Sequence, residues 1–338
     1  RTAQSGLNAL CPSQYTIIPP SVIMPMNMTN DHDSAAANPL SGLRLGIIGL
    51  GLMGGSLALA LRGRVAEVTA VERQPDTRQL ALREGIVSLA AEELSAAFPP
   101  VDLLVLAAPV RAIRDMLGLL PALLPAGCAV LDLGSTKREV VAAMDALPEP
   151  FAAIGGHPMC GKETSGLASA SADLYRDQTF FLCRSRRTTP ALESTALALI
   201  EAIGARPVFM DATAHDTAVA AVSHLPALLS AALMRTAAEE ALWSVGASGF
   251  RDTARLAGGD PRMMLDILLT NREAVLAALA GYEMELAAVR RAMEQRDEAA
   301  LAEWLAAAQV NYAAYRRFKS SEYLLSIRED GEEPGKIA

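Results

Sequence analysis

Four histidines punctuate this chain, and one of them, His157, lies in the stretch GGHPMCGKETSG at 155–166. The preceding residues, PFAAIGGH (150–157), read as a buried strand, and proline, glycine, lysine and glutamate follow. The imidazole therefore stands at a strand's carboxyl end, where open parallel sheets bind ligands. A neutral imidazole there can accept a hydrogen bond or a proton from a substrate hydroxyl near neutral pH. The alternative is a histidine that only satisfies the core. Ser135, in LGSTK (133–137), falls at another strand end. It either bonds a catalytic histidine or substrate hydroxyl, or caps the helix that STKREVV opens. Arg251 and Arg255, in GFRDTAR, offer planar guanidinium forks suited to a carboxylate; the plainer reading is a surface pair with Asp252. His215 and His224 are nine residues apart, out of register for a shared metal. His224, shortly before Pro226, points to the crevice, and His215 reads as core.

A second group of residues binds rather than reacts. GLGLMGG (49–55) sets Gly49, Gly51 and Gly54 in a G-x-G-x-x-G pattern between an apolar strand, LRLGIIGLG, and a helix, GGSLALALR. Gly49 permits the tight turn, Gly51 the approach of a pyrophosphate, and Gly54 close helix–strand packing; Leu52 and Met53 open the helix whose N-terminus favours the phosphates. Glu72 ends the next strand, 23 residues after Gly49, where an acid hydrogen-bonds ribose hydroxyls and favours NAD. Arg73 follows directly and can pair with a 2′-phosphate, which leaves NADP open. Ala108 and Pro109, in LAAPV (106–110), are expected against the same cofactor.

The elements that must position these groups alternate strand and helix from Leu43 to Asp211. Continuous apolar strands in that order mean a parallel sheet covered on both faces. After Asp211 no strand pattern appears, and Ala, Leu, Glu and Arg dominate at helical spacing. The expected fold is therefore α/β, a Rossmann-type mostly parallel sheet followed by an all-helical C-terminal dimerisation domain. The domains expected are a disordered tail at 1–41, a dinucleotide-binding domain at 42–211, a helical substrate and dimerisation domain at 212–320, and a polar tail at 321–338. His32 goes with the first tail. DTAVAAVSHLPALLSAALMRTAAEEAL (216–242) reads as one long helix kinked at Pro226, and 244–261 as a glycine-rich break.

The chain has 338 residues, a net charge of −8 and 51% hydrophobic residues. Acidity argues against nucleic acid as the partner while leaving room for an anionic small molecule at a local positive site. The four cysteines are widely spaced, with no CxxC and no Cys/His cluster, so neither a zinc site nor any other metal is indicated and a reducing cytoplasm is expected. No apolar run is read as reaching the roughly 18 residues of a membrane helix, so no membrane partner is expected.

GLGLMGGS, DLGSTK, GGHPMCGKETSG, HDTAVAAVSHLP and SGFRDTARLAGGDP, in this order and spacing across about 43–318, resemble the prephenate/arogenate dehydrogenases of tyrosine biosynthesis. The resemblance implies an NAD(P)-dependent oxidative decarboxylation of prephenate to 4-hydroxyphenylpyruvate, or of arogenate to tyrosine, by a cytoplasmic homodimer joined through its helical domain. It places hydroxyl polarisation on His157 and contact with hydroxyl, histidine and nicotinamide on Ser135. It places the carboxylate clamp on Arg255, with Arg251 beside it, lines the site with His224, and gives Glu163 the ordering or gating of the loop. Prephenate-preferring relatives carry a histidine directly after the proline of SHLP; here that position is Ala227, which leaves the choice between keto acid and amino acid open. A β-hydroxyacid dehydrogenase would need a lysine on the helical domain, and 212–318 contains none. A non-catalytic NAD(P)-binding redox sensor would not need His157, Ser135 and Arg255 to converge.

Overall fold

The computed structural model describes Met24–Pro25 and residues 38–329; His32, Cys11 and most of both expected tails lie outside it. Among the described residues nine strands form one sheet in the order β1-β9-β8-β7-β6-β5-β2-β3-β4. They are β1 (Met24–Pro25), β2 (Arg44–Ile48), β3 (Glu67–Val71), β4 (Leu89–Ala91), β5 (Leu103–Leu106), β6 (Ala129–Asp132), β7 (Ala152–Pro158), β8 (Thr179–Arg184) and β9 (Arg206–Phe209). From β4 to β7 every pairing is parallel; β8 turns antiparallel against β7, and β1 antiparallel against β9. The sheet is thus mostly parallel, as expected, and TFFLCRS and ARPVFMD extend it. The short β4 carries too little apolar pattern to have been read.

Period-two alternation divides the sheet's side chains between two cores. Leu103 and Val105 pack on the face covered by α1 (Leu52–Ala60), α2 (Pro75–Arg83) and α5 (Pro190–Ala202). Leu104 and Leu106 pack on the opposite face, under α3 (Val110–Leu123) and α4 (Arg138–Asp145). Burial on both faces is why these strands are apolar throughout. Chain order runs outward from β2 through β3 and β4, then crosses back to β5 beside β2. That reversal opens a crevice at the carboxyl ends of β2 and β5, and β6 and β7 follow along the same edge.

Beyond the sheet the described elements are helical. The single kinked helix expected at 216–242 is instead α6 (Ala212–Val219), one π turn (Ala220–His224), α7 (Leu225–Thr236) and the short α8 (Glu240–Trp243). Leu225 N–H reaches back five residues to Ala220 O. The widened turn comes directly before Pro226, whose missing N–H breaks the regular ladder. The glycine-rich break also holds structure, namely α9 (Ser248–Ala254) and a 3₁₀ turn (Arg255–Gly258). Then come α10 (Pro261–Thr270), α11 (Arg272–Gln295) and α12 (Glu298–Glu329), the last running on into the stretch expected as a polar tail. Compactness separates residues up to Ala278 from those after it.

By length and composition the helical stretch Ala212–Thr236 would cross a bilayer, which corrects the expectation that no run is long enough. Three polar residues in it are nonetheless buried within the protein: His215, Asp216 and His224 hydrogen-bond to β7, to the loop before α4 and to Asn271.

Candidate active site

His157 sits near the end of β7, opposite Phe181 of β8. Its Nδ1 lies 2.8 Å from Nε2 of His215. His215 Nδ1 in turn lies 2.8 Å from Asp216 Oδ1. Both Asp216 oxygens also accept backbone N–H groups, from Lys137 at 2.7 Å and Arg138 at 2.9 Å. The carboxylate is therefore an acceptor throughout, and His215 must give it the Nδ1 proton. That leaves His215 Nε2 bare, so it accepts from His157 Nδ1–H. His157 Nε2 then carries a lone pair and makes no hydrogen bond among the described residues. Burial, then the neighbouring His215, Lys137 and His224, holds the His157 imidazolium form well below its ordinary range. Burial also lowers His215, partly offset by the hydrogen bond to Asp216.

Beneath the relay lies a buried ion pair. The Lys137 ammonium meets the Asp132 carboxylate and donates to Gly156 O at 2.7 Å. Asp132 also accepts from Gly134 N at 2.8 Å and Gly156 N at 3.0 Å. One carboxylate thus ties the loop that bears Ser135 to the strand that bears His157. Ser135 is half-buried and its hydroxyl makes no hydrogen bond among the described residues. The capping alternative fails for it: the N-cap position of α4 is Lys137, and the first amides there are taken by Asp216 from another helix.

His224, in the π turn, is buried with its Nδ1 3.2 Å from Asn271 Nδ2, which also donates to Asp216 O at 2.7 Å. The amide is the donor, so His224 Nε2 carries the proton; burial pulls its pKa down to about 4 and keeps it neutral. Arg255 and Glu163 come together at 3.2 Å, both well exposed, bringing the loop after β7 to the turn after α9. Arg251 takes the plainer reading, a pair with Asp252 at 3.2 Å on the surface. Burial pushes the Cys160 thiol up to about 12, which leaves no thiolate in the HPMC stretch.

The glycine turn fits a dinucleotide. Gly49 has φ +96°, and a Cβ there would lie 2.5 Å from Ala107 O. A Cβ on Gly54 would lie 2.0 Å from Gly49 O, whereas one on Gly51 would meet nothing within 4 Å. Two glycines therefore serve packing, and the third leaves open space at the N-terminus of α1, which has no side-chain cap. Leu52 and Met53 form the first turn of that helix. Glu72 holds the turn: its carboxylate accepts Leu50 N and Gln74 N, each at 2.9 Å. Arg73 is exposed, and its guanidinium pairs with no described residue. Ala108 and Pro109 follow β5 at the crevice, Pro109 as N-cap of α3.

Sequence reading did not single out Asp216, Lys137, Asp132 or Asn271 for the site, and it left His215 in the core. His215 is indeed fully satisfied, but its partner is His157. A signal existed in the adjacent His215 and Asp216 inside the helix that follows the last strand, two polar side chains that need partners once the helix packs and buries them.

Comparison with known proteins agrees with this geometry. Residues 56–209 match the family model described as prephenate dehydrogenase, nucleotide-binding domain, and 211–307 match prephenate dehydrogenase, dimerization domain. A prephenate dehydrogenase of Bacillus subtilis is 30% identical over 263 residues, covering 74% of this chain and 70% of that one. The structure of prephenate dehydrogenase from A. aeolicus in complex with hydroxyphenyl propionate and NAD+ superposes with a TM-score of 0.75 at 29% identity, covering 82% of this chain and 99% of that one. The Synechocystis arogenate dehydrogenase gives 0.69 at 29% identity, covering 81% and 100%. With both halves matched in order and the histidine at the crevice, this chain belongs to the prephenate dehydrogenase family.

Proposed function

We propose that this protein is an NAD-dependent prephenate dehydrogenase, converting prephenate and NAD+ to 4-hydroxyphenylpyruvate, carbon dioxide and NADH. The observation that carries the chemistry is the hydrogen-bonded chain His157–His215–Asp216, whose carboxylate end assigns the protons. It leaves one basic nitrogen, His157 Nε2, unspent at the crevice. Bound NAD+ supplies the hydride acceptor. His157 Nε2 accepts the proton of the ring hydroxyl while the hydride leaves the carbon bearing it. The carboxylate on the ring departs as carbon dioxide, its bonding electrons complete the aromatic ring, and His157 returns the proton to the phenolic oxygen. Ser135 holds the same hydroxyl in line. Arg255 pairs with a substrate carboxylate in exchange for Glu163, and Glu163 then stands at the entrance. His224, neutral with Nε2–H outward, donates to the substrate's polar edge. The open space at Gly51 receives the pyrophosphate, Gly49 and Gly54 shape the turn that presents it, and Glu72 receives the adenosine ribose.

Ala227 favours a second reading, arogenate as substrate, because a small buried residue stands where prephenate-preferring relatives have a histidine. A rate assay crossing prephenate and arogenate with NAD+ and NADP+, following reduced nicotinamide, separates the readings. Highest kcat/KM with prephenate and NAD+ supports the first, and turnover of neither substrate overturns both.

The protein works as a dimer in this reading. Leu242, Trp243, Leu265 and Leu269 lie exposed within the stretch matched to the dimerisation domain. Cytoplasmic location fits the free thiols of Cys128, Cys160 and Cys183.

A further inference from the structure

We infer that Lys137 is a positioning residue for His157, gripping the relay at both ends: its backbone N–H holds Asp216, and its ammonium holds the Gly156 carbonyl next to His157. The inference rests on the reading of His157 as the group that takes the hydroxyl proton.

The bonds close a ring. Lys137 N lies 2.7 Å from Asp216 Oδ1, that oxygen 2.8 Å from His215 Nδ1, and His215 Nε2 2.8 Å from His157 Nδ1. The peptide joining Gly156 to His157 returns to Lys137 Nζ at 2.7 Å. A displacement of Lys137 therefore moves both ends of the proton path together. Glycine at 156 is part of the device: a Cβ there would sit 2.5 Å from Asp132 O and 2.9 Å from Leu131 and Phe180. Asp132 anchors the lysine and holds Gly134 and Gly156 with its remaining capacity. Lys137 is fully buried and reaches no open surface, so it does not touch substrate itself.

Stability alone does not explain such a pair. Burying two charges costs several kcal/mol per ion before their attraction is counted, and apolar side chains of similar volume often replace such pairs without loss. Apolar residues could neither donate to Gly156 O nor keep a fixed positive charge beside His157. The ionisable groups around His157 are Lys137 before α4, His215 on α6 and His224 in the π turn, with Asp132 of β6 and Asp216 of α6 one hydrogen bond further out. Among these Lys137 is the cation that disfavours the imidazolium form.

The test is a double-mutant cycle on the full-length protein. Lys137→Met is expected to lower kcat about 100-fold, the scale of a misplaced reacting group. NAD+ affinity should stay unchanged, and the acid limb of kcat/KM should move to higher pH. Asp132→Asn/Lys137→Met removes both charges and guards against unfolding by an uncompensated carboxylate; kcat should stay low while the acid limb moves back. In a His157→Asn background neither change should lower the residual rate further. An equal loss in that background, or an unmoved kcat and acid limb, overturns the inference. Histidine ¹⁵N spectra supply a readout independent of turnover: His157 should be the Nδ1–H tautomer, and Lys137→Met should raise its pKa. If the wild type turns over neither substrate, the catalytic reading falls and these spectra alone judge the positioning; unchanged spectra overturn it.

Discussion

His157 Nδ1 and His215 Nε2 stand 2.8 Å apart with one proton between them, and Asp216 decides which ring owns it. Asp216 can only accept, so the proton belongs to His157 and its other nitrogen stays basic. A carboxylate two residues removed along a hydrogen-bonded chain thus fixes the tautomer at the crevice.

Asp216→Asn tests that chain. The amide can donate to His215 Nδ1, which turns both imidazoles to the wrong tautomer. The expected loss in kcat is about 10²- to 10⁴-fold, the range seen when a catalytic histidine loses its orienting carboxylate. NAD+ affinity should hold. Steady-state rates beside a cofactor titration check it; an unchanged kcat would mean the relay is not the proton path.

Stability should fall on the acid side. His157, His215 and His224 all have native pKa values below 6.5, the last about 4, because burial disfavours their charged forms. Above pH 6.5 neither state binds these protons and they leave stability flat. Below it the unfolded chain binds more, so stability drops as pH falls, by up to about 4 kcal/mol per pH unit if all three remain neutral when folded. Guanidinium unfolding at about pH 8 and about pH 5 measures this; equal stability at both would contradict neutral buried histidines.

Ser135→Ala separates contact with ligand from support of the fold. The hydroxyl bonds no described residue, so the melting temperature should not change, whereas loss of a true cap costs about 1 kcal/mol. Turnover should fall about 100-fold if the hydroxyl steadies the reacting oxygen. A variant that melts early but turns over normally would reverse the assignment.

Arg255→Ala should leave stability nearly untouched, since its exposed pair with Glu163 is worth roughly 0–1 kcal/mol. It should instead cost ~2–4 kcal/mol in kcat/KM, mostly through KM, when the substrate carboxylate loses its partner. An unchanged KM would move the clamp elsewhere.

Local pattern made part of this legible. Gly49, Gly51 and Gly54 announce themselves because turn, strand and helix are contiguous, and the structure shows the close approaches that forbid a side chain at two of them. His157 and Ser135 were visible as polar residues ending apolar strands. Asp216, Lys137 and Asn271 were not, because their partners lie far off in sequence: Lys137 N and Asp216 are 79 residues apart, Asn271 and Asp216 O 55. Periodicity sees His215 as an inward-facing helix residue and stops there. Pro226 marked a disturbance in its helix, but only the folded π turn shows that the disturbance seats His224 against Asn271.

The most direct measurement is the turnover of His157→Asn with prephenate and NAD+. The account predicts a loss of about 10²- to 10⁴-fold in kcat, the contribution of one positioned base. Turnover at the wild-type rate would show that this imidazole does not handle the hydroxyl proton.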